Sequence, residues 1–300
     1  MTEPKQNPFL GAFDKLTRPP VLTLTAGLLV FLCLTITVVH LLHLPPLEGS
    51  GGETETGDYF AFFTGAELVS RGAGADLYDL NVQQALQREL AGEDGWDGWH
   101  AYINPPGFAL LLSLVTPLGF HGSFYAFDLF CIALFFFAAA QLKRYLPQLA
   151  RTRWHAVTTL LAVLSLQQVL LPMVGGQNTT ITLSLLTLAY CAHRGGRPVV
   201  LGLSLGLLSY KPQYLLLLLP FLALRREWVA TLVGSGVVAL HYLAGALVCG
   251  WDWPQKMLQA IATFSPTERA SRGHFSLPRV SDMLFDPPLQ TAATWVGCPL

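Results

Sequence analysis

Asp58 lies fourteen positions beyond a hydrophobic run, Val21 to Leu44, and opens an aromatic stretch, Asp58-Tyr59-Phe60-Ala61-Phe62-Phe63. A carboxylate held at a membrane surface beside apolar rings suits a general base, because partial burial raises its proton affinity toward working pH. Other polar residues punctuate a chain that is otherwise strongly apolar. Asn104 precedes two prolines, Gly176-Gln177 interrupts an apolar region, Lys211 precedes Pro212, and Asp128 and His241 fall inside apolar runs. An acid within a membrane span costs about 2.5–3.5 kcal/mol on insertion scales and usually faces a cavity, which gives Asp128 a place beside a cleft. His241 reads as an interhelical hydrogen bond rather than a ligand. Taken alone, Asp58 is equally a solvated loop acid, Lys211 a helix-end lysine whose charge reaches the interface, and Gly176-Gln177 a turn.

The elements that must position these residues follow from composition and charge. Of 300 residues, 52% are hydrophobic and 12% charged, against about 25% charged in a soluble domain. The chain therefore reads as an all-α polytopic membrane protein. A net charge of −1 and no basic aromatic platform argue against nucleic acid as a partner. The five cysteines, Cys33, Cys131, Cys191, Cys249 and Cys298, are scattered singly, so neither a disulfide framework nor a zinc site is indicated.

Residues 1–20 read as a cytoplasmic tail carrying Lys5, Lys15 and Arg18, and residues 21–44 as the first transmembrane helix. Residues 45–121 then form an external loop. Between Leu47 and Asn104 it holds eleven acidic and two basic residues, with short surface helices expected over Tyr59–Arg71 and Asn81–Leu90 and a membrane-dipping segment from Asn104 to Phe120. A transmembrane bundle covers 122–250, an external loop 251–288, and residues 289–300 read as the start of a further span, as in a truncated form of a longer protein. Three basic groups, at Lys143-Arg144 with Arg151 and Arg153, at Arg194 and Arg197, and at Arg225-Arg226, fall to the cytoplasmic side. That assignment sends Asp58, Asn104, Gly176-Gln177 and Lys211-Pro212 together to the external side. The 26 residues from Val199 to Leu224 are too short for two ordinary spans, so two short helices meeting at Lys211-Pro212 or a single span remain open.

The order of several short motifs resembles a known family. Asp58 with its aromatics, Leu77-Tyr78-Asp79 with Gln83-Gln84, Tyr102-Ile103-Asn104-Pro105-Pro106, Gly176-Gln177, Gly206-Leu207-Leu208-Ser209-Tyr210-Lys211-Pro212 and Leu224-Arg225-Arg226 are similar to glycosyltransferase family 87, also called DUF2029. The resemblance runs roughly from Asp58 to Trp253. It implies a GT-C-type helical bundle related to mannosyltransferases that use polyprenyl-phosphate-mannose. The implied reaction moves a hexose from a polyprenyl-phosphate donor to an acceptor hydroxyl on a lipid or glycan, with inversion, at the external face of a bacterial cytoplasmic membrane. Asp58 would be the catalytic base. Lys211 would meet the donor phosphate, with Arg269, Arg272 and His274 as alternatives, and Tyr59, Phe62, Tyr102, Asn104, Gln177 and Asp128 would line the cleft. No metal or other cofactor is implied, since the leaving group is a monophosphate that cationic side chains can stabilise, and the sequence lacks a DxD motif. The rival readings are a lipid or solute transporter, which should show midplane charges and an internal repeat, and a non-catalytic remnant that binds a lipid carrier.

Overall fold

The computed structural model describes residues 58–91, 100–146 and 176–270, with side chains to residue 264, and isolated helical positions within 24–31 and at 157. Among these residues the chain is all-helical. We number the helices α1 (Asp58–Ser70), α2 (Leu80–Ala91), α3 (Pro106–Leu112), α4 (Gly119–Leu142), α5 (Thr179–Arg194), α6 (Pro198–Gly206), α7 (Pro212–Leu224), α8 (Trp228–Cys249) and α9 (Trp253–Ala270). Short 3-10 turns cover Gly74–Asp76, Thr116–Leu118 and Leu207–Tyr210.

Local chemistry sets the boundaries. Proline opens α3, α6 and α7, where its missing N–H costs nothing and its fixed φ suits the first helical turn. Asp79 caps α2 by accepting hydrogen bonds from the backbone N–H groups of Asn81 and Val82, at 2.9 and 3.3 Å. Gly250, at φ 89°, ends α8.

Close approaches fix the directions of the long helices. Phe124 meets Gly176, and Tyr145 meets Gly195, so α4 and α5 run side by side in the same direction. Helix α5 turns back at Gly195–Arg197 into α6, which ends beside the start of α5, where Tyr210 meets Asn178 and Thr182. Gly202 packs on Ala230 and Gly206 on Gly234, so α6 and α8 run parallel with backbones close together. Helix α7 makes the return journey, passing Gly234 at Leu219. Lys143, Arg144, Arg194, Arg197, Arg225 and Arg226 consequently share one end of the bundle, and His193 lies 3.9 Å from Glu227 there. The opposite end carries α1, α2 and α3, with Pro106 against Gly245 and Gly74 against Val248.

Two stretches, Thr116–Leu142 and Trp228–Cys249, are long and apolar enough to cross a membrane. Their outer faces expose Leu129, Phe136, Phe137, Leu232 and Leu247, a distribution that water disfavours and lipid tolerates.

Two expectations need correction. Helix α1 does not lie along a surface: Tyr59, Phe60, Phe62, Phe63, Thr64 and Ala66 are all buried, because α3 and the start of α4 cover it with Phe108, Phe120, Phe124 and Phe127. The stretch after residue 250, expected as a loop, forms the eighteen-residue helix α9, anchored where the Trp253 indole N–H donates to the Tyr242 carbonyl at 3.3 Å. The polar composition that suggested a loop belongs to its uncovered side, while Trp253, Met257, Ala260 and Phe264 form a buried stripe. Val199–Leu224 resolves into the two short helices α6 and α7 with Lys211 between them. Most of the first expected span at 21–44, and the segment 154–173 apart from residue 157, lie outside the described residues.

Candidate active site

Asp58 is the first residue of α1 and is exposed. The partial burial expected of it beside the aromatic residues is not found, because those rings turn inward and leave it at the helix start with the positive end of the dipole behind its carboxylate. Directly after it, Tyr59 turns inward and packs against Phe124 and Phe127 at ring-centroid distances of 5.1 and 5.3 Å. Burial pushes the Tyr59 phenol upward, so this ring is a neutral hydrogen-bonding group and not a second base. Gly176 lets the chain before α5 press onto Tyr59. Its φ is 62°, and a Cβ there would stand 2.5 Å from Tyr59 Cβ, a place and conformation for glycine alone.

Lys211 comes from the later half of the chain. It is half-buried at the tip of the α6–α7 hairpin, its ammonium 5.9 Å from the centre of the Tyr210 ring. Tyr210 is itself fixed. Its ring stacks on Phe108 at 5.4 Å, and its hydroxyl lies 2.6 Å from Thr182 Oγ1 and donates to the Asn178 carbonyl at 3.2 Å. Asp58 acts electrostatically on Lys211 across 153 positions of sequence. The fold thus brings an acid and a base from opposite halves of the chain within electrostatic range of one another.

Below Tyr210 an apolar cavity of about 680 Å³ opens between α3, α4, α5 and α8, within the size range of ordinary small-molecule sites. Phe108, Phe127, Leu185 and Tyr210 are among its walls, and Leu111, Phe130, Leu207 and Leu240 form an exposed rim. Its polar feature is His241, whose Nδ1 is hydrogen-bonded to the Ser209 hydroxyl, the interhelical bond expected of a histidine in that span.

The remaining candidates are distributed as follows. Phe62 packs edge-on to Phe108 at 5.1 Å and belongs to the core. Tyr102 is fully buried, donating to the Pro105 carbonyl at 2.7 Å and accepting from the Ala109 N–H at 3.0 Å. These bonds make it a scaffold for the Asn104-Pro105-Pro106 turn and remove it from any open cleft. Asn104 is half-buried, its carbonyl accepting from the Tyr78 hydroxyl at 2.8 Å. Burial pushes the Tyr78 phenol far above its usual range, which keeps it a donor. Gln177 is half-buried beside Gly176, next to Tyr59. Asp128 lies in α4 within Coulombic range of Tyr59. Arg269 is in the last turn of α9, but its side chain, Arg272 and His274 lie outside the described residues. Among the described residues, no cluster of three His, Cys, Asp or Glu side chains is placed to hold a metal.

The sequence reading missed the contribution of α5. Asn178 and Thr182 hold Tyr210, and Thr180 and Ser184 are buried polar residues on the same helix. The signal was available as a run of hydroxyl residues, Thr179-Thr180-Ile181-Thr182-Leu183-Ser184, in the first half of an apolar segment.

A model of glycosyltransferase family 87 matches residues 102–298. No curated protein and no solved structure matches the chain. The matched region contains Asp128, Gln177, Lys211 and the apolar cavity, and starts after α1, so the match does not reach Asp58, which lies within electrostatic range of Lys211.

Proposed function

The chain belongs to glycosyltransferase family 87, and on that premise we propose that it moves a hexose from a polyprenyl-phosphate donor to an acceptor hydroxyl, inverting the anomeric carbon. The family makes it a membrane glycosyltransferase. The observation that carries the finer reading is Lys211 beside Tyr210 at the wall of an apolar cavity with a lipid-compatible rim, with Asp58 within electrostatic range of it.

The parts divide the reaction between them. Asp58 takes the proton from the acceptor hydroxyl as its oxygen attacks the anomeric carbon from the side opposite the phosphate. The bond from that carbon to the phosphate oxygen breaks, and its electron pair stays with the departing polyprenyl phosphate. Lys211 faces the charge that develops there. Because Tyr210 lines the cavity and also meets the Lys211 ammonium, a phosphate held at Lys211 leaves its isoprenoid chain free to lie among Phe108, Phe127 and Leu185. The exposed rim gives that chain a lateral entry from lipid. A polytopic arrangement in a bacterial cytoplasmic membrane, with the basic end of the bundle cytoplasmic, follows from the positive-inside rule.

The test uses the full chain in nanodiscs with a polyprenyl-phosphate-mannose donor. Asp58→Asn is expected to lower turnover by roughly 10²–10⁴-fold with donor affinity retained, since the amide cannot accept the proton. Lys211→Ala is expected to weaken donor binding and slow phosphate departure, with Lys211→Arg recovering part of both because charge is kept while geometry changes. Near-normal transfer by Asp58→Asn removes it as the base. Donor binding without turnover in the unsubstituted protein would favour the non-catalytic carrier-binding reading instead.

A further inference from the structure

Asp128 Oδ1, Thr180 Oγ1 and Ser184 Oγ are buried and have no hydrogen-bond partner among the described residues. Thr180 and Ser184 are only 2% and 1% exposed. Such groups are expensive to bury unpaired, and each position would accept an apolar residue of similar size in a helix of this kind. They are also neighbours in level. The approaches of Phe124 to Gly176 and of Tyr145 to Gly195 set α4 and α5 in parallel register. That register places Asp128 level with Thr180, and Ser184 follows one turn later.

Their location relative to the proposed chemistry is specific. Asp128 lies near Tyr59, the neighbour of Asp58, and near Cys131. Cys131 in turn lies near Tyr210, the neighbour of Lys211. Thr180 lies between Asn178 and Thr182, the two residues that hold Tyr210. Helix α5 also presents two chemistries side by side. Ile181 and Leu185 line the apolar cavity, whereas Thr180 and Ser184, each one position earlier, are rotated about 100° from them.

The geometry points to Asp128, Thr180 and Ser184 as the residues that bind the hydroxyls of the hexose on the donor and so set which sugar is transferred. This rests on the lipid-phosphate-hexose reading above. A carboxylate accepts from two hydroxyls at once, and Thr and Ser hydroxyls both donate and accept, which together match a polyol. A site built from such groups rejects a sugar lacking or inverting a hydroxyl far more strongly than an apolar pocket does, because its own buried oxygens are then left unpaired.

Three variants of the full chain in nanodiscs test this: Asp128→Asn, Thr180→Val and Ser184→Ala. Binding is measured for farnesyl phosphate and for farnesyl-phosphate-mannose, with thermal stability of the empty protein recorded alongside. The expected result is a loss of roughly 10–100-fold in affinity for the mannosylated ligand, unchanged affinity for farnesyl phosphate, and stability equal to or above that of the parent. Discrimination between farnesyl-phosphate-mannose and farnesyl-phosphate-glucose should fall with the same substitutions. Equal loss for both ligands overturns the assignment, as does no loss for either. Lower stability of Thr180→Val and Ser184→Ala also overturns it, because the hydroxyls then have structural partners. If the parent chain binds neither ligand, the donor reading fails and takes this inference with it, whereas intact donor binding with unaltered sugar preference sinks this inference alone.

Discussion

Gly176→Ala probes the tightest junction of the site. Two costs are readable from the structure. The backbone at 176 has φ 62°, where an L-residue with a Cβ pays about 1–2 kcal/mol. The new methyl would also stand 2.5 Å from Tyr59 Cβ and 2.9 Å from Phe124 Cε2, and overpacking of a fixed core typically adds about 1–3 kcal/mol. The sum is about 2–5 kcal/mol, and relief requires movement of Tyr59 or of the chain leading to Asn178. Either movement shifts the site, the first through Asp58 and the second through the anchor of Tyr210. A misplacement of about 1 Å at reacting groups can cost about 10²-fold in rate. Gly72→Ala is the matched control, since Gly72 has φ 77° but open space where its Cβ would lie. Thermal unfolding in detergent and hexosyl transfer in nanodiscs are measured for both. Gly72→Ala should lower Tm modestly and leave transfer intact, whereas Gly176→Ala should lower Tm by two- to threefold more and cut transfer by an order of magnitude or more. Equal behaviour of the two variants in both assays refutes the claim that Gly176 holds Tyr59 and Asp58 in place.

Two further outcomes follow from individual bonds. Tyr210→Phe removes the contacts to Thr182 and Asn178 but keeps the stack on Phe108, so it should cost about 1–2 kcal/mol of stability and weaken donor binding less than Lys211→Ala, measured by unfolding and by donor titration. Asp79→Ala removes the cap of α2 and should cost about 0.5–2 kcal/mol in thermal unfolding, with transfer per folded molecule unchanged.

Composition and basic clusters carried much of the fold, because apolar length and Arg/Lys placement are one-dimensional signals. The helical class and the shared end of the Arg/Lys groups could be read that way, whereas the break at Lys211-Pro212 stood as one of two alternatives. Burial of α1 could not. Its residues Tyr59-Phe60-Ala61-Phe62-Phe63 are apolar on every side, and only the arrival of Phe108, Phe120 and Phe124 from later segments decides that all of them are covered. The same limit applied at the site. Asp58 and Lys211 stood out as charges out of place, but Thr180, Thr182 and Ser184 are residues that helices carry routinely. Their meaning depends on which oxygen has a partner, and among the described residues Thr182 finds Tyr210 while Thr180 and Ser184 find none.

The short helices that made Val199–Leu224 awkward as two spans also set the depth of the site. From the basic end, Pro198–Tyr210 and Pro212–Leu224 each rise about 20 Å, whereas the 22 residues of α8 rise about 33 Å. Lys211 therefore stops about 10 Å short of the far end of α8. Counted the same way from the basic end, His241 in α8 and Asp128 in α4 also lie about 20 Å up, so Lys211, His241 and Asp128 share one level. With the basic end at the cytoplasmic face, that level is inside a hydrocarbon layer about 30 Å thick, roofed by α1, α2 and α3. On the proposed reading, a lipid-linked phosphate would descend about 10 Å below the external hydrocarbon boundary to reach Lys211, with its chain already in apolar surroundings. The water-soluble part of the acceptor has the harder path, down past α1, and the exposed Asp58 carboxylate at the start of that helix is the first ionisable group of the proposed pair that it meets.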